Sequence, residues 1–313
     1  MQKTVISFGE ILWDIFPGQM ILGGAPFNLA YRVASLGERA IIASRLGRDE
    51  LGEKAYASVL SLGLDPSYLQ WDSTHPTGTV RVTIDERKNP DFFIVPGVAY
   101  DYMELTDSLL EIAAAADYFC FGTLVQRSAK TRQTVEKLLE AGSGGVKLLD
   151  INLRKDCYSP DTVKSSLENA DILKLNEDEA RELSGLLFDK PYSVPGFCEA
   201  VVEKWTLESC LVTLGEKGVF AYSGQGEGIY VPGYIVQLAD TVGAGDAFTA
   251  GVVYCLVRNL PLREAVEFGN LLGALASTKK GGTALITPEE IKMFREKETE
   301  RIYDPGLEKF VSD

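Results

Sequence analysis

Along most of the chain, short unbroken apolar runs alternate with stretches whose apolar residues return every third or fourth position. The first pattern suits strands buried on both faces, and the second suits helices packed along one side. Residues 5–8, 40–44, 118–121, 146–151, 172–175 and 210–214 read as strands. Residues 28–36, 51–62, 130–141, 178–183, 249–257 and 262–277 read as helices. In Asp117-Tyr-Phe-Cys-Phe-Gly122 neither strand face turns polar, as expected where helices cover a parallel sheet on both sides. The predicted class is α/β with a mostly parallel sheet.

Two places break the rhythm. Residues 13–22 hold Pro17 and Gly18 in a hairpin-like stretch, and residues 78–95 contain the alternating Thr79-Val-Arg-Val-Thr-Ile84 followed by an Asn89-Pro90 turn. They are expected to form a small β-rich excursion beside the main sheet, built from about 12–22 and 75–100; the alternative is a long hairpin extending that sheet. Repeats and low-complexity tracts are not evident, and 189–195 reads as a surface loop. The expected organisation is one domain over 1–313.

Charge and rare residues narrow the chemistry. Of 313 residues, 45 are acidic and 31 basic, leaving a net charge of −14. That balance argues against nucleic acid or an anionic membrane as partner, although backbone donors can still hold a phosphate locally. His75 is the single histidine, so zinc sites built from several histidines are excluded, and it reads as an ordinary loop residue. Cys120, Cys157, Cys198, Cys210 and Cys255 are scattered without a Cys-x-x-Cys pair, which suits a reducing compartment. The first residues lack a signal-peptide core and no apolar run nears the ~20 residues of a membrane span, so a cytoplasmic location is expected.

The sharpest candidate for chemistry is Ala239-Asp-Thr-Val-Gly-Ala-Gly-Asp-Ala-Phe248. Gly243, Ala244 and Gly245 strip the first turn of the following helix of side chains, so its amides and dipole can receive a phosphate-like charge. Asp246 stands at the same mouth and can accept a proton from a hydroxyl. Alternatively Asp240 or Asp246 simply caps the helix.

Gly23-Gly-Ala-Pro-Phe-Asn28 lets backbone approach a ligand and offers an amide suited to polyols, or is only a turn before a helix. Neither a dinucleotide fingerprint nor a P-loop occurs. Asn176 and Glu179 match a capping box, with a position near phosphate-borne magnesium as the functional alternative. Asp150, Asn152 and Arg154 alternate at a strand's carboxyl end and share a direction if the chain stays extended, or are solvated loop residues. Asp14 could bind hydroxyls, Thr213-Leu-Gly-Glu-Lys-Gly218 could lie against a nucleotide, and Asn270 is either packed or turned toward a ligand.

Taken in order, Gly23-Gly24…Asn28, Asn176-x-x-Glu179 and Asp240-Thr-x-Gly-Ala-Gly-Asp246 resemble the signatures of the PfkB, or ribokinase-like, sugar kinases, from about residue 5 to 287. Gly9-Glu-Ile-Leu-Trp-Asp14 with Leu22-Gly-Gly-Ala-Pro26 is similar to bacterial fructokinases. The resemblance implies a doubly wound core with a small β lid, and ATP and Mg2+ as cofactors. It implies Asp246 as base with the Gly243–Gly245 amides as anion hole, and a sugar held by Asp14, Gly23, Gly24, Asn28, Asn152 and Arg154. Asn176, Thr213, Gly215, Gly218 and Asn270 would line the nucleotide, with Glu179 assisting magnesium. Many members bind K+, and the matching positions are Asp240, Val242, Ala276, Lys279 and Gly281. Phe27, where a smaller residue is frequent, and the variable segment 91–102 bear on substrate choice.

The expected reaction is ATP-dependent phosphorylation of a primary hydroxyl of a free sugar, fructose foremost. A kinase for another sugar, a sugar phosphate or a nucleoside, or a weakly catalytic sugar-binding regulator, stays open. A phosphorylated sugar would call on Arg32, Arg81, Arg87 or Lys88. The expected partners are the sugar and ATP, with neither nucleic acid nor membrane, and a homodimer through the lid as in some family members.

Overall fold

The computed structural model describes residues 3–84, 90–297 and 300–311. The chain runs β1 (Thr4–Phe8), β2 (Leu12–Phe16), β3 (Gln19–Gly23), α1 (Ala25–Ser35), β4 (Arg39–Gly47), α2 (Glu50–Ser61), β5 (Leu69–Asp72), β6 (Gly78–Ile84) and β7 (Pro90–Ile94). It continues through α3 (Asp107–Ala115), β8 (Tyr118–Phe121), α4 (Ala129–Ala141), β9 (Val146–Asp150), α5 (Pro160–Glu168), β10 (Ile172–Asn176), α6 (Glu177–Leu187) and α7 (Val194–Trp205). The last elements are β11 (Ser209–Thr213), β12 (Val219–Ser223), β13 (Gly228–Val231), β14 (Gly233–Tyr234), α8 (Ala244–Leu256), α9 (Leu262–Ser277), α10 (Pro288–Glu296) and β15 (Arg301–Ile302).

Among the described residues, nine strands form the main sheet in the order β13-β12-β11-β10-β9-β8-β1-β4-β5. From β11 to β5 every pairing is parallel, while β12 and β13 add an antiparallel edge. Successive strand residues feed opposite faces, as the pleat requires. Ile6, Ile41 and Phe119 pack with α3 to α7, whereas Val5, Ile42 and Cys120 pack with α1, α2, α8 and α9. The sheet is thus doubly wound. All five cysteines are free and buried. Among the described residues no helix is long and apolar enough to cross a membrane.

The two interruptions build a separate four-stranded sheet in the order β3-β2-β6-β7, with β2 and β6 parallel and the other pairs antiparallel. It does not extend the main sheet. The expected Asn89-Pro90 turn begins at a residue outside those described, as do Arg87 and Lys88. The stretch 189–195 is a loop only in its first part, because Ser193 caps α7 and Pro195 lies in that helix's first turn.

This topology gathers chemistry at one edge. Gly9 and Glu10 follow β1, Asp150 ends β9, Asn176 ends β10 and Thr213 ends β11, all at the carboxyl ends of parallel strands. Helix α8 packs against α1 and α9, which brings residues 25–28 and 243–246 together.

Candidate active site

Helix α8 begins without a side-chain cap. Gly243 is its N-cap with φ +78°, a left-handed conformation that favours glycine, and neither Asp240 nor Asp246 bonds to the first-turn amides. The capping alternative is therefore excluded for this helix. The Ala244 amide donates to Thr241 O at 3.2 Å, but the amides of Gly243, Gly245 and Asp246 have no partner among the described residues. Ala244 is thus a weaker donor to a ligand than its neighbours. Exposed amides at the positive end of a thirteen-residue helix form an anion receptor.

Asp246 stands in that first turn, partly buried. Its Oδ2 accepts the side-chain amide of Asn28 at 2.8 Å. Desolvation and the nearby Asp150 carboxylate raise its pKa to about 6, against the pull of the Asn28 bond, Lys174 and Arg154. It is mainly ionised at neutral pH, yet basic enough to take a proton.

Beneath it lies a buried network. Lys174 Nζ sits 3.1 Å from Asp150 Oδ1, and Thr249 Oγ1 donates to Asp150 Oδ2 at 2.9 Å. A methyl group on Gly245 would stand 3.2 Å from Lys174 Nζ, so the ammonium abuts the anion receptor. Desolvation works against the Lys174 charge, but Asp150, Glu179 and Asp246 outweigh it and raise the pKa.

On the α1 side, Gly24 caps the helix at φ +114°, and a methyl there would lie 2.4 Å from Glu10 O. Only glycine fits that approach. The Ala25 amide donates to Glu10 Oε1 at 3.2 Å. Burial lifts the Glu10 carboxyl to about 7. Gly23 abuts Asp14, whose pKa is raised by desolvation against the pull of Arg154. Asn152 departs from expectation: β9 ends at Asp150, and Asn152 turns left-handed at φ +47°, so the alternation with Arg154 is broken. Asn152 lines a small cleft with Ser7, Glu10 and Asp150, while Arg154 is exposed with its charge acting on Glu10, Asp14, Glu179 and Asp246. Phe27 is fully buried in the core. Arg32 is buried too, and Arg81 is exposed.

The remaining residues lie further along the same edge. Asn176 and Glu179 form the capping box of α6, and Glu179 Oε1 also accepts Leu153 N at 2.9 Å. Burial raises the Glu179 pKa. Thr213 ends β11, its Oγ1 directed to Leu175 O, and Gly215 and Gly218 lie in the turn that follows. Asn270 is packed, donating to Pro232 O at 2.9 Å.

Asp240 joins two loops by accepting Val242 N and Gly281 N, each at 3.0 Å. Ala276 and Lys279 flank the turn leading to Gly281, where Ala276 O accepts Lys279 N and the Lys279 ammonium pairs with Glu290. His75 lies in a loop, stacked on Tyr102 and bonded to Asp72.

Glu10 and Lys174 were not singled out from sequence. A signal existed for Lys174, a lone charge in the apolar run Ile172–Asn176.

The family model described as pfkB family carbohydrate kinase matches residues 8–289. Fructokinase-1 of Oryza sativa subsp. japonica is 31% identical over 325 residues, covering 94% of this chain and 97% of the relative. The fructokinase of Escherichia coli is 30% identical over 311 residues, covering 93% and 99%. The solved fructokinase of Xylella fastidiosa with bound ATP shares the fold at a TM-score of 0.83 and 24% identity, over 94% of this chain and 98% of that one. A Vibrio cholerae O395 fructokinase double mutant, in its fructose, ADP and potassium ion bound form, matches at a TM-score of 0.81 and 26% identity, over 94% and 99%. With its doubly wound sheet and its glycine-opened helix terminus beside an aspartate, this chain belongs to the pfkB family of carbohydrate kinases.

Proposed function

We propose that this sugar kinase transfers the γ-phosphate of ATP to a primary hydroxyl of fructose. One observation carries the reading: the Asp246 carboxylate, held by Asn28 through one oxygen, belongs to the first turn of the helix whose leading amides are uncapped. A base and an anion receptor thereby share one mouth. The sugar hydroxyl gives its proton to Asp246 as its oxygen bonds to the γ-phosphorus, and the bond from that phosphorus to the β-bridging oxygen breaks to release ADP. The Gly243 and Gly245 amides and Lys174 stabilise the charge on the transferring group. A positioned base contributes ~10²–10⁴ in rate, so orientation and charge stabilisation carry the larger share.

Fructose is favoured over a sugar phosphate by charge. The exposed cation whose charge reaches the Gly23–Asn28 end is Arg154, and it already acts on four carboxylates, Glu10, Asp14, Glu179 and Asp246. That field suits a neutral polyol. Two relatives bearing the name fructokinase, each about 30% identical, match over nearly the whole chain.

The donor set fits magnesium arriving on the nucleotide phosphates, with Glu179 at one water's remove, because both Glu179 oxygens accept backbone amides. When bound, the ion would neutralise phosphate charge. A monovalent cation, if bound, would be held at Asp240, whose two oxygens accept the Val242 and Gly281 amides, and no cluster of three metal-ligating side chains occurs among the described residues. The β3-β2-β6-β7 sheet would serve as the lid that excludes water. Its exposed Met20, Phe92 and Phe93 would supply an apolar dimer face, which sedimentation would test.

ATP consumption across free sugars, sugar phosphates and nucleosides tests the substrate. The highest kcat/KM is expected with fructose. Preference for a phosphorylated sugar or a nucleoside would overturn the specificity, and saturable sugar binding without ATP turnover would overturn the kinase mechanism.

A further inference from the structure

Arg32 is among the largest side chains sealed in the core, at 1% exposure. It lies on α1 one turn beyond Asn28 and makes no ion pair with a carboxylate among the described residues. Its Nη2 donates to Ala284 O at 2.8 Å and more weakly to Gly282 O at 3.4 Å, while Nε and Nη1 have no hydrogen-bond partner among the described residues. The Tyr31 ring centre stands 5.4 Å from the guanidinium. A buried cation without a directly paired carboxylate is costly, and an arginine does not escape the cost by losing its proton; the charge of Asp246 acts on it from outside contact distance.

The loop that Arg32 grips explains where such a cation can act. A methyl on Gly243 would come 2.4 Å from Gly282 Cα, and a methyl on Gly282 would come 2.4 Å from Asn28 Nδ2. Gly282 is therefore wedged between the cap of α8 and the amide that orients Asp246. Asp240 holds the adjoining Gly281 amide from the far side, and Arg32 clamps the carbonyls of Gly282 and Ala284 from the core.

We propose that Arg32 is a positioning residue for phosphoryl transfer, fixing the Gly281–Ala284 loop against Gly243 and Asn28 and setting a buried positive charge behind the anion receptor. The inference rests on reading Asp246 and the α8 amides as the transfer site. Transfer chemistry is where its loss should appear, because Arg32 is sealed from the site's surface and reaches it only through the loop that abuts the cap of α8 and the amide holding Asp246.

The test compares Arg32→Met, Arg32→Lys and Asp246→Asn in the full-length enzyme with fructose and ATP, alongside thermal unfolding. Folded Arg32→Met is expected to lose at least ~10-fold in kcat with fructose KM changed by less than about threefold, and Arg32→Lys is expected to be less impaired. A kcat within about twofold of wild type in Arg32→Met, or equal losses in both variants, would overturn the proposal. Should Arg32→Met fail to fold, Arg32→Lys decides: reduced kcat at unchanged KM supports the role, and wild-type kcat assigns Arg32 to stability alone. Full activity in Asp246→Asn would instead strike the site on which the inference rests, whatever Arg32 does.

Discussion

Asn28 donates its side-chain amide to Asp246 Oδ2 across 2.8 Å, joining positions 218 residues apart. The bond ties the start of α1 to the start of α8, and it favours the ionised form of a carboxylate that burial and Asp150 lift to about 6. Asp246 works as a base only when ionised, so kcat should rise with pH through about 6 and level off above it. Removing the amide in Asn28→Ala removes a pull toward the charged form, and the acid limb of kcat should move to higher pH. A limb unchanged in that variant would detach Asn28 from the base.

Lys174 and Asp150 face each other with side chains only 8% and 12% exposed. Truncating one partner leaves the other charge buried, a loss of about 3–5 kcal/mol. Lys174→Met should therefore lower urea-unfolding stability by that order. Removing both charges in Lys174→Met with Asp150→Leu should recover much of it, whereas equal losses in the single and double variants would contradict the pairing.

Gly243 occupies a left-handed position and touches Gly282. A side chain there costs ~1–2 kcal/mol from conformation alone. Gly243→Ala must also push Gly282 Cα from 2.4 Å, which displaces the anion receptor. Loss of one such donor is worth ~3–4 kcal/mol of transition-state stabilisation, so kcat should fall at least ~10²-fold. Steady-state kinetics on the folded variant would check this.

Glu10 carries a stability signature. Its carboxyl titrates at about 7 in the fold, against an ordinary 4.5, so between those values the folded chain holds more protons than the unfolded one. Stability should then fall as pH rises across that window, by about 3 kcal/mol in total. Glu10→Gln keeps an acceptor for the Ala25 amide and should lack this fall, gaining on wild type most clearly above pH 7. Parallel pH dependences in unfolding experiments would contradict the assignment.

The strand and helix pattern was legible because strands buried on both faces read as plain apolar runs, as in Tyr118–Phe121. The antiparallel edge was not. Val219–Ser223 and Gly228–Val231 are short strands between glycines, whose pairing depends on the sheet already formed. In the site, Gly243 announced itself because the need for glycine is local, and the Asn176–Glu179 box for the same reason. Asn152 was not legible because its shared direction with Asp150 depends on an extended chain, and the backbone turns left-handed there. Glu10 and Arg32 look like surface charges in sequence, and only tertiary packing buries them.

The most direct measurement is single-turnover and steady-state kinetics of Asp246→Asn with fructose and ATP. The account predicts that sugar and nucleotide still bind while kcat falls at least ~10²-fold, because the amide cannot take the hydroxyl proton. Near-normal turnover in Asp246→Asn would contradict it.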